Sequence, residues 1–185
     1  MDVSVNVTEH ALETRRLTLR ALRMGDLEDF YAYASVPGVG ERAGWKHHES
    51  REESEKILRS LVESKDIFAI VHRESGRVIG TLGLHPSFAN ALPEYAALRM
   101  KEIGYVLSQD YWGQGLIPEA VSAVIRWGFD TLMLDAFTCC HFAENARSRR
   151  VIEKCGFRFA GIGEFVSEAL QKTFVDLQYI RFREP

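Results

Sequence analysis

The sequence predicts a mixed α/β fold, with one sheet packed against helices, and three observations lead to this fold class. Segments of alternating or wholly apolar composition, typical of strands, are interspersed with segments whose apolar residues recur every three or four positions, typical of helices. The predicted elements follow the order β, α, α, β, β, β, α, β, α, β, β. The strands before the central glycine turn read as antiparallel hairpins rather than as a βαβ unit.

The N-terminal half reads as a strand, two helices and a β-hairpin. The predicted ranges are a loose lead-in 1–13, a strand 16–22, a helix 25–37, a loop 38–49, a helix 50–63, and strands 67–72 and 77–84. Asp26 is the expected N-cap of the first helix, and Ser50 with Glu53 is expected to form a capping box on the second. The expected inward-facing residues are Leu27, Phe30, Tyr31 and Ala34, then Ile57, Leu58 and Leu61.

The C-terminal half is built around a strand, a glycine turn and a helix. The predicted ranges are a loop 85–98, this strand–turn–helix unit 102–129, a strand 136–142, a helix 145–155, and strands 157–160 and 174–182. Pro118 falls in the first turn of the helix, where a proline is tolerated because its missing N–H would have no partner. Gly156 is expected to end the following helix in a left-handed conformation.

Composition and charge restrict the classes of function. The chain has 185 residues, 46% of them hydrophobic, and a net charge of −3, so no global field draws it to nucleic acid or to an anionic membrane. Its first residues contain neither a signal peptide nor a membrane anchor. Three cysteines, two of them adjacent, do not form a disulfide framework, and this favours a cytoplasmic location.

The glycine turn predicts a phosphate cradle. Gly113 and Gly115 lack a Cβ, so a ligand can approach their backbone closely, and the helix that follows begins with N–H groups that have no internal partner. Glycines alone are a weak signal. A P-loop or Rossmann site is disfavoured, because the turn has neither the Gly-Lys-Ser/Thr ending nor a G-x-G-x-x-G spacing.

Two motifs together make the resemblance to a known family specific. The stretch EIGYVLSQDYWGQGLIPEA is followed about thirty residues later by NARSRRVIEKCGF. The chain resembles the GNAT acyl-CoA N-acyltransferases over a single domain at residues 12–183, and it is closest to the Rim-type ribosomal-protein N-terminal acetyltransferase branch. The resemblance implies a mostly antiparallel sheet, splayed at the cofactor site and covered by helices on both faces. It also implies acetyl-CoA as cosubstrate, no metal, and an amine acceptor that is a peptide N-terminus or a small molecule.

The resemblance assigns cofactor-binding residues by position. Backbone groups in the turn would hold the pyrophosphate, strand residues would pair with pantetheine amides, and a later helix would contact the pantetheine arm. These residues are Val106, Leu107, Trp112, Gly113, Gln114, Gly115, Leu116, Ile117, Asn145 and Ser148. Ile117 departs from the family's Gly/Ala, and Pro118 cannot donate.

Glu102 and Ser148 are the predicted catalytic residues. Glu102 would take the amine proton through water, and the N–H of Val106 or Leu107 would stabilise the oxyanion. The tyrosine acid that many relatives carry is replaced by Ile152, so Ser148 is the candidate donor to the departing thiolate. The alternatives are that Glu102 orders the strand or binds the amine, and that Ser148 only caps its helix. The missing tyrosine leaves open a non-catalytic acyl-CoA-binding module.

Trp45 and His85 are the candidate acceptor-binding residues, on the loops 38–49 and 85–98. The alternatives are that Trp45 is a hydrophobic plug and that His85 is an ordinary surface residue. His47 and His48 are expected to be solvated. The arginines at 147, 149 and 150 are candidates for the CoA 3′-phosphate. A metal site at Cys139, Cys140 and His141 is disfavoured, because adjacent strand residues point to opposite faces. The sequence leaves the oligomeric state open, although exposed edge strands near residues 157–182 could pair two subunits in a homodimer.

Overall fold

The computed structural model describes residues 1–184, which form one eight-stranded sheet with helices on both faces. The strands are β1 (Ala11–Glu13), β2 (Leu17–Ala21), β3 (Ile67–His72), β4 (Val78–His85), β5 (Met100–Leu107), β6 (Ala136–Phe142), β7 (Arg158–Ser167) and β8 (Lys172–Phe182). The α-helices are α1 (Leu27–Ala34), α2 (Arg51–Ser64), α3 (Leu116–Asp130) and α4 (Ala146–Lys154). The mixed α/β prediction is confirmed.

The strands lie in the order β1-β2-β3-β4-β5-β6-β8-β7, and only β5 and β6 run parallel. The sheet separates two hydrophobic cores. One core packs α3 and α4 against one face, around Phe68, Phe137 and Ile125. The other packs α1 and α2 against the opposite face, around Phe30, Leu58 and Ala69. Burial of apolar side chains on both faces holds the central strands in register.

Helix ends follow the sequence signals closely. The Ser50 side chain accepts a hydrogen bond from the Glu53 N–H at 3.1 Å. The Glu53 carboxylate returns to the Glu49 N–H rather than to that of Ser50, so the reciprocal bond of the capping box lies one residue earlier. Asp26 makes no cap bond; its carboxylate instead pairs with Arg20 at 2.7 Å. The glycine that ends α4, Gly156, has φ +77°, as predicted.

Several predictions about this part of the chain are wrong in detail. The lead-in 1–13 contains β1, and β7 extends to Ser167 rather than ending at 160. On α1 it is Tyr33, not Tyr31, that is buried. On α2, Ile57 is 36% exposed, because it faces a cavity rather than the core.

The sheet opens between its two parallel strands. β4 and β5 pair over six residues, from Gly80 opposite Leu107 to His85 opposite Glu102. β5 and β6 pair over only three, the last being Glu102 opposite Thr138. Beyond that pair the strands diverge, so the splay implied by the family resemblance is present and Glu102 lies at its apex.

Candidate active site

A cavity of about 1030 Å³ occupies the wedge between β5 and β6. It extends from the glycine turn before α3, past α4, to the loop between α1 and α2. Its volume is at the upper end of the range for small-molecule sites, which suits a long ligand together with a second reactant.

Backbone groups on β5 alternate between the sheet and the wedge. The Ser108 N–H donates to the Ile79 carbonyl at 2.7 Å, which places Val106, opposite Thr81, among the residues bonded to β4. Leu107 and Tyr105 therefore direct their peptide groups into the wedge. Of the two predicted oxyanion donors, the Val106 N–H is directed to β4 and only that of Leu107 faces the cavity.

The Leu107 carbonyl already has a partner, since it accepts a hydrogen bond from the Trp112 indole N–H at 2.8 Å. This bond fixes the indole beside the strand end. Among residues 1–184, the free wedge-facing groups near this point are therefore the Leu107 N–H and the peptide of Tyr105. Peptide groups two residues apart on a strand point the same way, so the peptide of Tyr105 faces the wedge as that of Leu107 does. This alternation can be read from the sequence.

The glycine turn forms the second wall. Gly113 and Gly115 have φ values of +78° and +76°, a region that glycine occupies without strain. Gly115 is the N-cap of α3, and the side chains of Leu116 and Ile117 are buried in the core below the turn. Within residues 1–184, no acceptor receives the N–H groups of residues 113–117. The turn therefore presents unsatisfied donors at a helix N-terminus, an arrangement that favours an anion.

The rim beside this turn is basic. The guanidinium of Arg147 lies 4.7 Å from the centre of the Trp112 ring, and that of Arg42 lies 5.5 Å from it. Arg150 and Lys154 line the same side of the cavity. Arg149, on the other side of α4, instead pairs with Glu153 at 2.8 Å.

Asn145 caps α4 with its side chain. Its Oδ1 accepts from the Ser148 N–H at 3.2 Å, and its Nδ2 donates to the Arg42 carbonyl at 3.3 Å. The second bond joins α4 to the loop between α1 and α2, across the mouth of the cavity.

Glu102 lies at the apex of the wedge among weak donors. Its Oε2 is 3.3 Å from the Thr138 hydroxyl, 3.5 Å from the Phe88 N and 3.6 Å from the Cys140 Sγ. Burial, and next the negative charge of Asp176, raise the pKa of Glu102 above its usual range. A raised pKa makes the ionised carboxylate a stronger base than an exposed glutamate.

Asp176, on β8, is a cavity residue that the sequence did not single out. Burial raises its pKa, and the Cys140 thiol lies between its carboxyl and that of Glu102. Burial followed by these two carboxyls raises the pKa of Cys140, so this cysteine is a thiol rather than a thiolate. Asp176 was missed because its neighbours Val175 and Leu177 make it look like an ordinary strand residue.

The hydroxyls of Ser148 and Tyr105 lie 2.8 Å apart, so a side chain of α4 meets one of β5 across the wedge. Tyr105 is largely buried, and burial raises its pKa well above the usual value. The sequence indicated Ser148 alone, because nothing in a linear pattern pairs it with a residue on β5.

The predicted acceptor residues also lie at the cavity. His85 is directly opposite Glu102 on β4. The Trp45 ring lies 5.1 Å from the His48 ring, tilted by 43°, and His48 is buried and bonds the Ser54 hydroxyl at 2.6 Å. The expectation that His47 and His48 are both solvated is therefore wrong for His48. Of the predicted site residues, Gln114 and Arg149 do not line the cavity.

The loop 38–49 is held in place at several points. The Glu41 carboxylate accepts from the Gly38 N–H at 2.7 Å and lies 2.7 Å from the His47 Nδ1. The buried Ser167 hydroxyl, on β7, donates to the Gly44 carbonyl at 2.8 Å. The loop that covers the cavity is thus tied to itself and to the far edge of the sheet.

Two further observations concern the described residues as a whole. In residues 1–184 no group of three or more His, Cys, Asp or Glu side chains is placed to hold a metal ion. None of the helices in this range combines the length and apolar character needed to cross a bilayer.

Comparisons with known proteins agree with this geometry. The family model described as "Acetyltransferase (GNAT) domain" matches residues 16–158. The N-acetyltransferase YoaA of Bacillus subtilis (strain 168) is 31% identical over 156 residues, covering 82% of this chain and 84% of YoaA.

Solved structures share the fold at lower sequence identity. A GNAT-family acetyltransferase from Bacillus anthracis superposes with a TM-score of 0.80, at 20% identity, covering 94% of this chain and 98% of that one. The Microcin C7 self immunity acetyltransferase MccE, solved in complex with acetyl-CoA and AMP, superposes with a TM-score of 0.75, at 16% identity, covering 92% and 94%. The extent of these matches, with the splayed sheet and the glycine cradle, shows that the chain belongs to the GNAT family of acetyl-CoA-dependent N-acetyltransferases.

Proposed function

We propose that this enzyme transfers the acetyl group to a primary amine at Glu102, with the pyrophosphate of acetyl-CoA on the N–H groups of residues 113–117. The observation that carries the proposal is that one cavity connects these unsatisfied donors to the Glu102 carboxyl. A thioester held along the free edge of β5 would then end next to the base. The basic rim of Arg147, Arg150 and Lys154 suits the remaining phosphate of CoA.

The reaction needs few groups. The amine nitrogen attacks the thioester carbonyl carbon, and the Leu107 N–H donates to the developing oxyanion. The C–S bond breaks with its electron pair on sulfur, and the proton of the attacking amine passes through water to Glu102. No covalent enzyme intermediate is required.

The acceptor is an amine that fits between the two carboxyls and an apolar wall. Glu102 and Asp176 lie at the base of this part of the cavity, and Trp45, Phe142 and Phe165 form its side. An ammonium group is attracted there before it loses its proton, because within residues 1–184 no Lys or Arg pairs with either carboxyl. Both a peptide N-terminus, as in the Rim-type branch, and a small amine satisfy this chemistry.

The experiment is an acceptor screen that measures release of the free CoA thiol. The purified chain is given acetyl-CoA with peptides, amino acids, polyamines or aminoglycosides in turn. We expect turnover with at least one amine, and loss of that turnover in the Glu102→Gln variant. Saturable binding of acetyl-CoA without thiol release for any amine would favour a non-catalytic acyl-CoA-binding module instead.

We propose two further properties with less direct support. The enzyme is cytoplasmic, as its three free cysteines suit a reducing compartment. A second copy would pair along β7, the outermost strand, whose Phe159, Ile162 and Val166 are 58%, 69% and 66% exposed. Sedimentation of the unmodified chain and of Ile162→Lys tests the pairing, which is wrong if both sediment as monomers.

A further inference from the structure

The contact between Tyr105 and Ser148 has no role in the reaction as described so far. It joins the two walls of the wedge, at the level where β5 has lost its β6 partner. The Tyr105 hydroxyl has one other polar neighbour in residues 1–184, the Ser148 carbonyl oxygen at 3.4 Å. Every polar contact of this buried phenol is therefore made with one residue of α4.

The direction of the hydrogen bond matters for Ser148. A serine hydroxyl has one hydrogen to donate and can accept at the same time. A serine side chain on a helix can otherwise turn its hydrogen toward the backbone carbonyl three or four residues before it. When Tyr105 donates to the Ser148 oxygen at 2.8 Å, the serine hydrogen is left to point elsewhere.

The geometry favours the phenol as the donor. The Ser148 carbonyl oxygen, 3.4 Å from the Tyr105 hydroxyl, can only accept, so the phenol hydrogen is directed toward this residue. Burial raises the pKa of Tyr105 well above the usual value, so the hydroxyl keeps this proton. A hydroxyl that accepts one hydrogen bond also donates a stronger one, because the two bonds polarise each other.

We propose that Tyr105 is a positioning residue that orients the Ser148 hydroxyl so that its hydrogen faces the sulfur of the departing CoA. The proposal rests on the acetyl transfer proposed above. As the C–S bond breaks, the electron pair moves to sulfur and Ser148 donates a hydrogen bond to it. No proton leaves Ser148, and the thiolate takes its proton from water after release. Tyr105 and Ser148 would thus supply the stabilisation that a tyrosine at the position of Ile152 supplies in other relatives.

The test compares Tyr105→Phe, Ser148→Ala and the double variant with the unmodified chain, using an amine found in the screen. We expect kcat to fall about tenfold in Tyr105→Phe, less than the roughly 100-fold or more that follows loss of a donor itself, because Ser148 keeps its hydroxyl. KM for acetyl-CoA should stay within about twofold. The double variant should be no slower than Ser148→Ala alone, because both changes remove the same interaction. Ser148→Thr, which keeps the hydroxyl, should retain sensitivity to Tyr105→Phe.

Tyr31→Phe is the matched control. Tyr31 is half-buried on α1 and does not line the cavity, so removing its hydroxyl should leave kcat unchanged. An unchanged kcat in Tyr105→Phe, or additive losses in the double variant, would overturn the positioning role while leaving acetyl transfer intact. Absence of turnover by the unmodified chain with every amine would overturn both.

Discussion

At the scale of single residues, Glu102 sets the expected pH dependence of the reaction. Its pKa is raised by burial and by Asp176, and only its ionised form can accept the amine proton. The rate should therefore rise with pH through this raised pKa. In Glu102→Gln this dependence should disappear and kcat should fall about 100-fold. Steady-state rates from about pH 4, near the usual glutamate value, up to about pH 9 check this.

Glu102 also predicts that stability falls with rising pH, whereas the rate rises. A carboxyl with a raised folded-state pKa binds its proton more tightly in the folded than in the unfolded state. The stability that this proton contributes is therefore lost as pH rises through the folded-state pKa. Glu102→Gln should therefore unfold at a higher temperature than the unmodified chain at neutral pH, and not below about pH 4. The exposed Glu74→Gln serves as control and should change neither property. If Glu102→Gln leaves the rate unchanged, Glu102 is not the base.

Gly115 gives a prediction about the cofactor. Gly115→Val should weaken acetyl-CoA binding at least about tenfold, because a branched side chain strains a residue at φ +76° and obstructs the cradle. Calorimetry measures the affinity. Gly76→Val is the control, since Gly76 has φ +69° in the exposed β3–β4 turn and shares the strain without the cavity. Equal affinities of the two variants for acetyl-CoA would contradict binding of the pyrophosphate at the glycine turn.

The residues of the site divide by how they could be recognised. Gly115 and Asn145 lie within motifs, and their backbone or capping behaviour follows from short-range rules. The Asp176 carboxyl and the Tyr105 hydroxyl become part of the site only through neighbours on other elements, Glu102 on β5 and Ser148 on α4. A sequence pattern contains no information on which element lies beside which, so the sequence could not indicate these two side chains.

At the scale of elements, the covering loop depends on a bond to β7. Ser167→Ala removes the donor to the Gly44 carbonyl and should reduce the free energy of unfolding by about 1–3 kcal/mol, the cost of a buried unsatisfied group. We expect KM for the acceptor to rise more than KM for acetyl-CoA, because Trp45 lies on this loop. Urea unfolding and initial rates measure the two effects, with the exposed Ser75→Ala as control. Equal changes in both KM values would contradict a role of the loop on the acceptor side.

The elements themselves were predictable where local signals are strong. The helices α2 and α3 combine a cap or a first-turn proline with helical periodicity, and their ranges were nearly right. The short strand β1 and the second half of β7 were not recognised. Both lie toward an edge of the sheet, where exposure on both faces removes the alternation that marks a strand.

At the scale of the whole molecule, the N-terminal part of the chain supports the cradle. The Glu119 carboxylate, in the first turn of α3, accepts from the Thr14 hydroxyl at 2.6 Å and from the Arg16 N–H at 2.8 Å, and it forms an ion pair with the Arg16 guanidinium. Arg16 also donates to the Gln114 carbonyl at 2.9 Å. Burial alone would raise the pKa of Glu119, but these bonds outweigh it and hold the pKa below the usual range.

This arrangement predicts that Glu119→Gln lowers the free energy of unfolding by about 1 kcal/mol at neutral pH. The value is small because Arg16 is partly exposed and solvent screens its ion pair with Glu119. A lowered folded-state pKa adds stability above the unfolded pKa, and this stability is lost as pH falls through the folded value. The difference from the unmodified chain should therefore shrink below about pH 4. Urea unfolding at both pH values measures it, with Glu55→Gln on α2 as control. A difference that persists in acid would exclude the charge of Glu119 as its source.

The fold class could be predicted from the sequence, but the arrangement of the strands could be predicted less well. Alternating strands and periodic helices predicted the mixed fold, whereas the splay of β5 and β6 came from the family resemblance. The divergence begins at Glu102 and Thr138, in strands whose composition is ordinary, so nothing in their residues marks the place.

The splay should give β5 an alternating pattern of amide hydrogen exchange. In the free protein the N–H groups of Gly104 and Val106 are bonded to β4, while those of Tyr105 and Leu107 face the open wedge. Exchange should therefore be slow, fast, slow, fast along residues 104–107. Pantetheine amides lying on this edge would act as the missing neighbouring strand and slow the fast positions. The cofactor of this enzyme would then be, in mechanical terms, a removable ninth strand of its sheet.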